Sequence, residues 1–531
     1  MNQQTRLSRL GVGLVDSLQK IEAYEKNRLA RRERETLHIP KVGSSISTAY
    51  EQLRNASEYA EDELLQQRAI RRYLKRELSF HSKIKTSHLA EELVTELTQA
   101  EYLQNDHTTK ADVKTISEQI KKHYDAYWKY AGTEPSVSKR APFQKWILDA
   151  LAVRSEQTLQ SHMRQLMFAH FAFTYLHEKM PMKKMVRSGE KINADDYPII
   201  LYIAIHRAIL KSDTATIRVA LLDSYRVDIS DSDKFIDFNQ KLDRLFDTKT
   251  AVYTARVVSR NGAALRFIYT GFFNSDRPVS TDALKNEDTL EYALRQHIEH
   301  EYTLLNKRLD RGIVRSIIFL LITKSIVGFA IEVPYDLLIA SHILWVPLII
   351  NLLFPAFFIT ISRLALTTPV SRNTDAIINQ IINIVYKNDD KLYDVRVPKE
   401  STSIGFNALY AVTFMIVFAG LSYILNLLEF NIVQGIIFFI FLSTASFLSF
   451  RLSRQIHELE VIHTPQGSLS LLRDIIYMPF IYVGQQISYH YSQVNIIATI
   501  LDILIELPLK TILRLVRQWV TFLNAKKDEM M

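Results

Sequence analysis

Between Gly312 and Phe450 the chain carries four long apolar segments in two matched pairs, and each pair ends on arginine. The first pair reads SIIFLLITKSIVGFAIEV and DLLIASHILWVPLIINLLFPAFFITIS, the second ALYAVTFMIVFAGLSYILNLL and NIVQGIIFFIFLSTASFLSF. Lipid offers a bare peptide group no hydrogen-bond partner, so a crossing segment is a helix of roughly 20 mostly apolar residues. The pattern predicts four transmembrane helices at about 313–331, 337–361, 408–428 and 431–450, with a polar loop over 364–405 between the pairs. The reversals fall at Ile331–Asp336, where Pro334 disfavours a continuing helix, and at Leu428–Asn431.

Basic flanks stay on the cytoplasmic side of a membrane. Lys307, Arg308, Arg311 and Arg315 precede the first span, Arg363 and Arg372 follow the second, and Arg451 and Arg454 follow the fourth. The two reversals carry Glu332, Asp336 and Glu429 and no base. This asymmetry predicts both termini in the cytoplasm. The leading MNQQTRLSRLGVGLVDSLQK has no apolar signal core, which agrees with a leading region that stays where it is made.

Outside the spans the composition is that of a polar, helical protein. A hydrophobic share of 47% and a mean hydropathy of −0.03 arise because the long polar regions dilute the apolar segments. With 14 glycines and 14 prolines in the whole chain, little interrupts helices. The expected fold is mostly α: an N-terminal helical region over 1–130, a helical cytoplasmic domain over 139–300, the spans over 311–450, and a tail over 451–531 with membrane-interfacial helices. The turn-rich Ala131–Ser138 is the internal linker. Residues 5–36 read as one polar helix, and Met163–Leu176 and Pro198–Leu210 as buried helices too short to span. One stretch departs from helix: over 251–273 β-branched and aromatic runs flank Asn261-Gly262, the pattern of a β-hairpin, with a helical pair as the alternative.

Two basic stripes stand out. Arg68, Arg71, Arg72, Lys75 and Arg76 line one helix, most simply as a solvated face, next as a lipid contact and last as a nucleic-acid contact. In the tail, Lys510, Arg514 and Arg517 oppose an apolar face, and Trp519 suits headgroup depth. Leu469, Leu472, Ile475, Ile476, Phe480 and Val483 form an apolar face that Pro479 interrupts, too broken for a span. A net charge of +8 suits a protein lying against anionic inner-leaflet lipid.

Candidate chemistry is sparse. The absence of cysteine removes disulfides, thiolate metal sites and cysteine nucleophiles. His297, His300 and Glu301 share a helical face with ligand-compatible spacing, but a zinc site needs three or four ligands and nothing nearby completes it. His457, Glu460 and His463 drift round a helix, and Asp228, Asp231 and Asp233 lack the glycine and terminal glutamate of a calcium loop and serve better as a helix start. Phosphate-loop, metalloprotease, nucleophile-elbow and kinase motifs are all missing, so neither a cofactor nor an enzymatic role has support. Lys324 is different, because an ionisable group inside a span is expensive. It can snorkel toward Glu332 or pair with a carboxylate on a neighbouring helix, Asp502 or Glu506; a third role is lining a path with His342 and Asn351.

The stretches Ala49–Ala56 (AYEQLRNA), Arg68–Arg76 (RAIRRYLKR) and Leu507–Arg514 through Trp519 resemble uncharacterised multi-pass membrane proteins of reduced-genome, candidate-phyla bacteria. The resemblance implies a bacterial inner-membrane location and no site residues. The expected function is non-enzymatic, anchoring or organising a cytoplasmic assembly through an unknown protein partner or a second copy; the alternative is an oligomeric transporter or channel subunit.

Overall fold

Local hydrogen-bond chemistry starts many of the helices. Thr109 and Asp112 form a reciprocal capping box, and Asp213, Asp231, Thr248, Asn286 and Asn431 each accept a bond from an otherwise unpaired amide of a first turn. The computed structural model describes residues 6–32, 36–39, 47–48, 51, 64–134, 136–185, 190, 192–274, 278–339, 341–364, 371–387, 404–462 and 468–493, with isolated residues between 508 and 526. Among the described residues there is no strand, only an isolated bridge between Thr36 and Thr109.

In chain order the helices are α1 (Arg9–Arg32), α2 (Leu65–Glu77), α3 (Leu89–Gln99), α4 (Lys110–Thr133), α5 (Val137–Leu159), α6 (Met163–Lys179), α7 (Tyr197–Ile205), α8 (Thr214–Ser224), α9 (Ser232–Phe246), α10 (Lys249–Asn261) and α11 (Ala263–Ile268). The long α12 (Glu287–Val327) then passes through a π turn at Gly328–Glu332 into α13 (Val333–Ile339). After it come α14 (Trp345–Leu364), α15 (Ser371–Tyr386), α16 (Ile404–Leu427), α17 (Ile432–His457) and α18 (Ser468–Gln493).

The expected hairpin over 251–273 is instead a helix pair. Thr248 caps α10, and Thr250, Ala251, Thr254, Val257 and Val258 are buried at helical spacing, so tertiary packing overrides the β-branched composition. Asn261-Gly262 is the joint between α10 and α11, with Asn261 Nδ2 donating to Val257 O. A Cβ on Gly262 would lie 2.5 Å from Val258 O, which is why glycine occupies the joint.

Two large cores, with two smaller apolar clusters beside them, organise the body ahead of the apolar helices. One joins α2 through α5, with Ile70, Ile120, Tyr124, Phe143 and Ile147 at its centre and Phe235 of α9 against them. The helices either side of the Ala131–Ser138 stretch, α4 and α5, therefore share a single core. The other gathers α1, α6, α7, α10, α11 and the first turns of α12. Helix α15, from within the 364–405 stretch expected as a loop, enters this second core with Ile377, Ile381 and Val385 at 0% exposure. Its last carbonyls are capped from the far end of the chain: Ser8 N donates to Val385 O at 2.8 Å and Ser8 Oγ to Ile384 O at 2.7 Å.

Three arginines of the first basic stripe are engaged inside the fold. Arg71 pairs with Asp149 at 2.7 Å, Arg72 with Glu51 at 2.6 Å, and Arg76 with Glu77 and Glu96 at 2.8 and 2.7 Å. Ile46, Ala49, Tyr50, Leu53 and Ala56, which the sequence spaces as an apolar helical face ahead of this stripe, lie outside the described residues.

At the end of α5 a buried acid leaves a mark on stability. Glu156 lies 3.9 Å from His162 Nε2, and burial with nearby Asp213 pushes its carboxyl from 4.5 up to about 8. Burial and Arg28 push His162 down to about 4, so both groups are neutral at pH 7. The folded chain keeps a proton that the unfolded chain releases above about pH 4.5, so Glu156 costs progressively more stability as pH rises through this window toward 8. Glu156→Gln removes that cost. Scanning calorimetry should show the melting midpoint rising by several degrees at pH 8 and by much less at pH 5; an equal shift at both would contradict the burial argument.

Candidate functional site: a buried polar cluster among the apolar helices

The first reversal lies later in the chain than the sequence suggested. The helix expected to end near Ile331 continues to Ile339, and Pro334 sits in the first turn of α13 immediately after the π turn. A π turn opens the hydrogen-bond ladder where the proline ring would otherwise strike a carbonyl one turn earlier. The consequence is chemical: Glu332 and Asp336, expected on an outer loop, point into the bundle and are fully buried at 0% exposure.

They meet residues from three other places. Lys324 Nζ lies 2.5 Å from Glu332 Oε1 and 4.8 Å from the centre of the Phe441 ring on α17. Asn351 of α14 donates through Nδ2 to Glu332 Oε2 at 3.1 Å and to the Gln434 carbonyl at 3.2 Å. Gln434 of α17 donates to both oxygens of Asp336 at 3.1 and 3.0 Å, and Asn431 Nδ2 adds a bond of 2.7 Å. Leu344 N, at the start of α14, donates to Asp336 Oδ2 at 3.2 Å. Asp336 thus faces the amino ends of α14 and α17, whose partial positive charge stabilises a carboxylate without a cation.

Lys324 is therefore paired with a carboxylate of its own helix, across the π turn, and buried rather than snorkelled, with 2% of its side chain exposed. The network joins α12, α13, α14 and α17 through charge-assisted bonds, and it acts as a clamp that fixes their rotation and register. Asn351 Oδ1, Ser443 Oγ and Ser446 Oγ have no hydrogen-bond partner among the described residues. The small residues of α17 serve close approach: a Cβ on Gly484 of α18 would fall 2.1 Å from Ser443 O.

The basic flanks gather at the opposite end of the bundle. Arg363 closes α14 onto α12, with Nε 2.9 Å from Asp310 Oδ1 and Nη2 3.2 Å from Asn306 Oδ1. Lys307, Arg308, Arg311, Arg315, Arg372, Arg451 and Arg454 are exposed there. Just beyond α17, Glu458 is held by Lys211 at 2.8 Å, by Ser259 Oγ at 3.1 Å and by the buried Arg266 guanidinium at 3.5 Å. Asn373 of α15 secures the following backbone, donating to Leu459 O at 3.0 Å and accepting from Val461 N at 2.8 Å. Burial alone would raise the Glu458 carboxyl, but Arg266, Lys211 and Arg454 outweigh it and hold the group below its ordinary value. The stabilisation from this knot is present above the ordinary carboxylate range and is lost as pH falls through the lowered folded value. Glu458→Ala should cost about 2–4 kcal/mol by leaving buried Arg266 uncompensated. Differential scanning fluorimetry at pH 7 reads this, and an unchanged midpoint would remove Glu458 from the joint.

The other candidates disperse. His297 Nε2 bonds the Thr270 hydroxyl at 3.0 Å, His300 is exposed, and among the described residues no three His, Cys, Asp or Glu side chains converge as a metal site. His457 pairs with Glu460 at 2.9 Å, while His463 lies outside the described residues. Asp231 caps α9, at the helix start expected of this acidic run, and Asp228 is bound by Lys122 at 2.6 Å. A cavity of about 340 Å³ between α4, α5 and the α8–α9 turn is lined by Lys122 and Arg154, each already paired, with Asp228 and Asp223. In the tail Trp519 is exposed, whereas Lys510, Arg514 and Arg517 lie outside the described residues, as do Asp502 and Glu506.

No protein-family model, curated protein or solved structure matches the chain. Four of its helices are long and apolar enough to cross a membrane. Asp336 reads from the sequence as an acid of the outer reversal because its inward orientation depends on the π turn, and Asn431 and Gln434, which cap the start of α17, escape notice because their partner Asp336 is distant in sequence. Glu458 and Asn373 escaped it because their partners are distant in sequence.

Proposed function

We propose that the protein is a multi-pass protein of a bacterial inner membrane that holds its N-terminal helical region at the cytoplasmic face, as a non-enzymatic anchor or organiser of an assembly there. The observation that carries this reading is α15: between the second and third apolar helices the chain returns to the body and fills its core. The continuous α12 and the Glu458 knot add two further joints. A body fixed at three points to four apolar helices is suited to hold a partner at a defined place. Membrane insertion is supported by the outward faces of those helices. Only 6% of the Ala408–Leu427 window is buried, and Phe329, Trp345, Phe357, Met415 and Ile432 are exposed, a surface that lipid can cover and water disfavours. The exposed bases at the body end favour the cytoplasmic face and its anionic lipid.

A second reading, an oligomeric transporter or channel subunit, is favoured by the buried Lys324, Glu332 and Asp336, since charges at membrane depth commonly mark ion paths. Mass spectrometry of proteins that co-purify with the detergent-solubilised full chain from its native host separates the two. Anchoring predicts recurrent heterologous partners, and self-association alone would favour the transporter.

A further inference from the structure

We infer that α12 and α17 form a binding groove for one anionic phospholipid, its phosphate held by Arg311, Arg315 and Arg451 and its acyl chains laid along the isoleucines beyond them. The inference rests on membrane insertion of the apolar helices and names the lipid that exposed bases at the body end hold. Two contacts set the direction of the pair. A Cβ on Gly312 of α12 would lie 3.6 Å from Leu452 Cδ2 of α17, and Lys324 Nζ lies 4.8 Å from the centre of the Phe441 ring. Gly312 and Lys324 stand about 18 Å apart along α12, and Leu452 and Phe441 about 17 Å apart along α17 in the reverse chain sense. The helices therefore run antiparallel and in step.

Their rotation places the bases. At about 100° per residue, Arg311 and Arg315 stand about 100° and 60° round from Gly312 in one sense, and Arg451 about 100° round from Leu452 in the same sense. A two-fold axis perpendicular to both helices and to the line joining them relates an antiparallel pair, so rotations of the same sense lead to the same side. The three arginines flank one groove, and Arg451 is level with the turn that carries Arg311 and Arg315. Other neighbours lie elsewhere. Arg363 brings α14 against Asp310 and Asn306 on the far side of α12, and Gly484 of α18 packs at Ser443, about half a turn round α17 from Leu452.

Charge and surface both point to the occupant. The acids at this end are committed, Asp310 to Arg363 and Glu458 to Lys211, Arg266 and Arg454. Arg311, Arg315 and Arg451 are exposed and pair with no acid among the described residues; Arg311 Nε donates to the Lys307 carbonyl at 3.3 Å. Past Arg315 the same stripe of α12 turns apolar, with Ile318, Ile322 and Ile326 each more than half exposed. Ile440, about three turns before Arg451, is exposed on the matching face of α17. Arginines at headgroup depth above an aliphatic slot fit a phosphodiester that carries acyl chains. A free phosphate would leave the isoleucines uncovered, and an acidic peptide would bring unpaired backbone amides to membrane depth.

The test is native mass spectrometry of the full-length chain in a non-ionic detergent, with phosphatidylglycerol or phosphatidylcholine added at equal mole fraction. The expected result is one phosphatidylglycerol retained per chain and about tenfold weaker retention of phosphatidylcholine. Arg311→Gln/Arg315→Gln/Arg451→Gln should weaken the phosphatidylglycerol adduct about a hundredfold, roughly fivefold for each base near an anionic surface. Arg311→Lys/Arg315→Lys/Arg451→Lys keeps the charge and should retain the adduct. Lys121→Gln/Lys129→Gln/Lys234→Gln, which removes three exposed charges from the body, should bind as the wild type does. Equal retention of the two lipids, or equal losses from the two glutamine variants, would overturn the groove. A wild-type chain that stays with alkaline-extracted membranes but retains no phosphatidylglycerol would overturn the inference alone. Its recovery in the alkaline supernatant would overturn insertion and the inference with it.

Discussion

Replacing Glu332 alone by leucine should destabilise the bundle by about 3–5 kcal/mol, because it strands the Lys324 ammonium in an apolar interior. Lys324→Leu alone should cost a similar amount through the orphaned Glu332 carboxylate. The double variant should recover most of either loss, since two leucines of comparable volume carry no charge to desolvate and isosteric apolar replacements of buried pairs are often near neutral. Asn351, which donates to Glu332, then loses one partner but keeps the Gln434 carbonyl, so recovery should fall short of complete by about 1 kcal/mol. The measurement is a double-mutant cycle on thermal unfolding in one detergent. Additive losses would mean that Lys324 and Glu332 do not act as a pair. The same double variant bears on function: an anchor keeps its partners, whereas a transporter that uses these charges loses flux in reconstituted vesicles.

The second large effect is expected in α15. Ile381 is fully buried between the body helices, and Ile381→Asp places an unpaired carboxylate there, a substitution of the class that exceeds about 4 kcal/mol. Ile381→Val, which removes one methylene, should cost only about 0.5–1.5 kcal/mol. Because α15 fills the body core while α14 and α16 flank it in the chain, Ile381→Asp should unseat α15 from the body, leaving the continuous α12 and the Glu458 knot as the remaining joints. Limited proteolysis in detergent should then cleave rapidly between Leu364 and Ile404. A cleavage pattern equal to that of Ile381→Val would show that the body holds without α15.

The sequence made the dominant features legible because they rest on local chemistry. Four apolar runs, the helical character of Met163–Leu176 and Pro198–Leu210, and the short turn at Leu428–Asn431 follow from composition and period alone. Three features were hidden, each for a physical reason. The β-branched stretch around Asn261-Gly262 has strand-like composition, but its buried positions recur at helical spacing and the cores on either side select helix. Pro334 reads as a stop, yet a π turn immediately before it absorbs the ring, carries the helix on and turns Glu332 and Asp336 inward. Helix α15 has the alternating face of an amphipathic helix, with Ile377, Ile378, Ile381, Ile382 and Val385 buried, but its setting between two apolar spans invites reading it as a connecting loop. Of the candidate site, Lys324 was visible as a charge inside a span. Its partner was named as a snorkelling direction rather than a buried pair, because without the π turn the two groups stand too far apart along a straight helix.

The most direct test of the central claim, a helical body built onto membrane-crossing helices, is flotation after alkaline carbonate extraction of membranes that contain the full-length chain. Carbonate strips proteins held by charge or by other proteins and leaves those whose apolar helices are surrounded by lipid. The account predicts that the intact chain floats with the lipid, and that neither high salt nor Lys324→Leu/Glu332→Leu changes this. Recovery of the chain in the alkaline supernatant would contradict it, since the exposed faces of α12, α14, α16 and α17 would then be covered by something other than a bilayer.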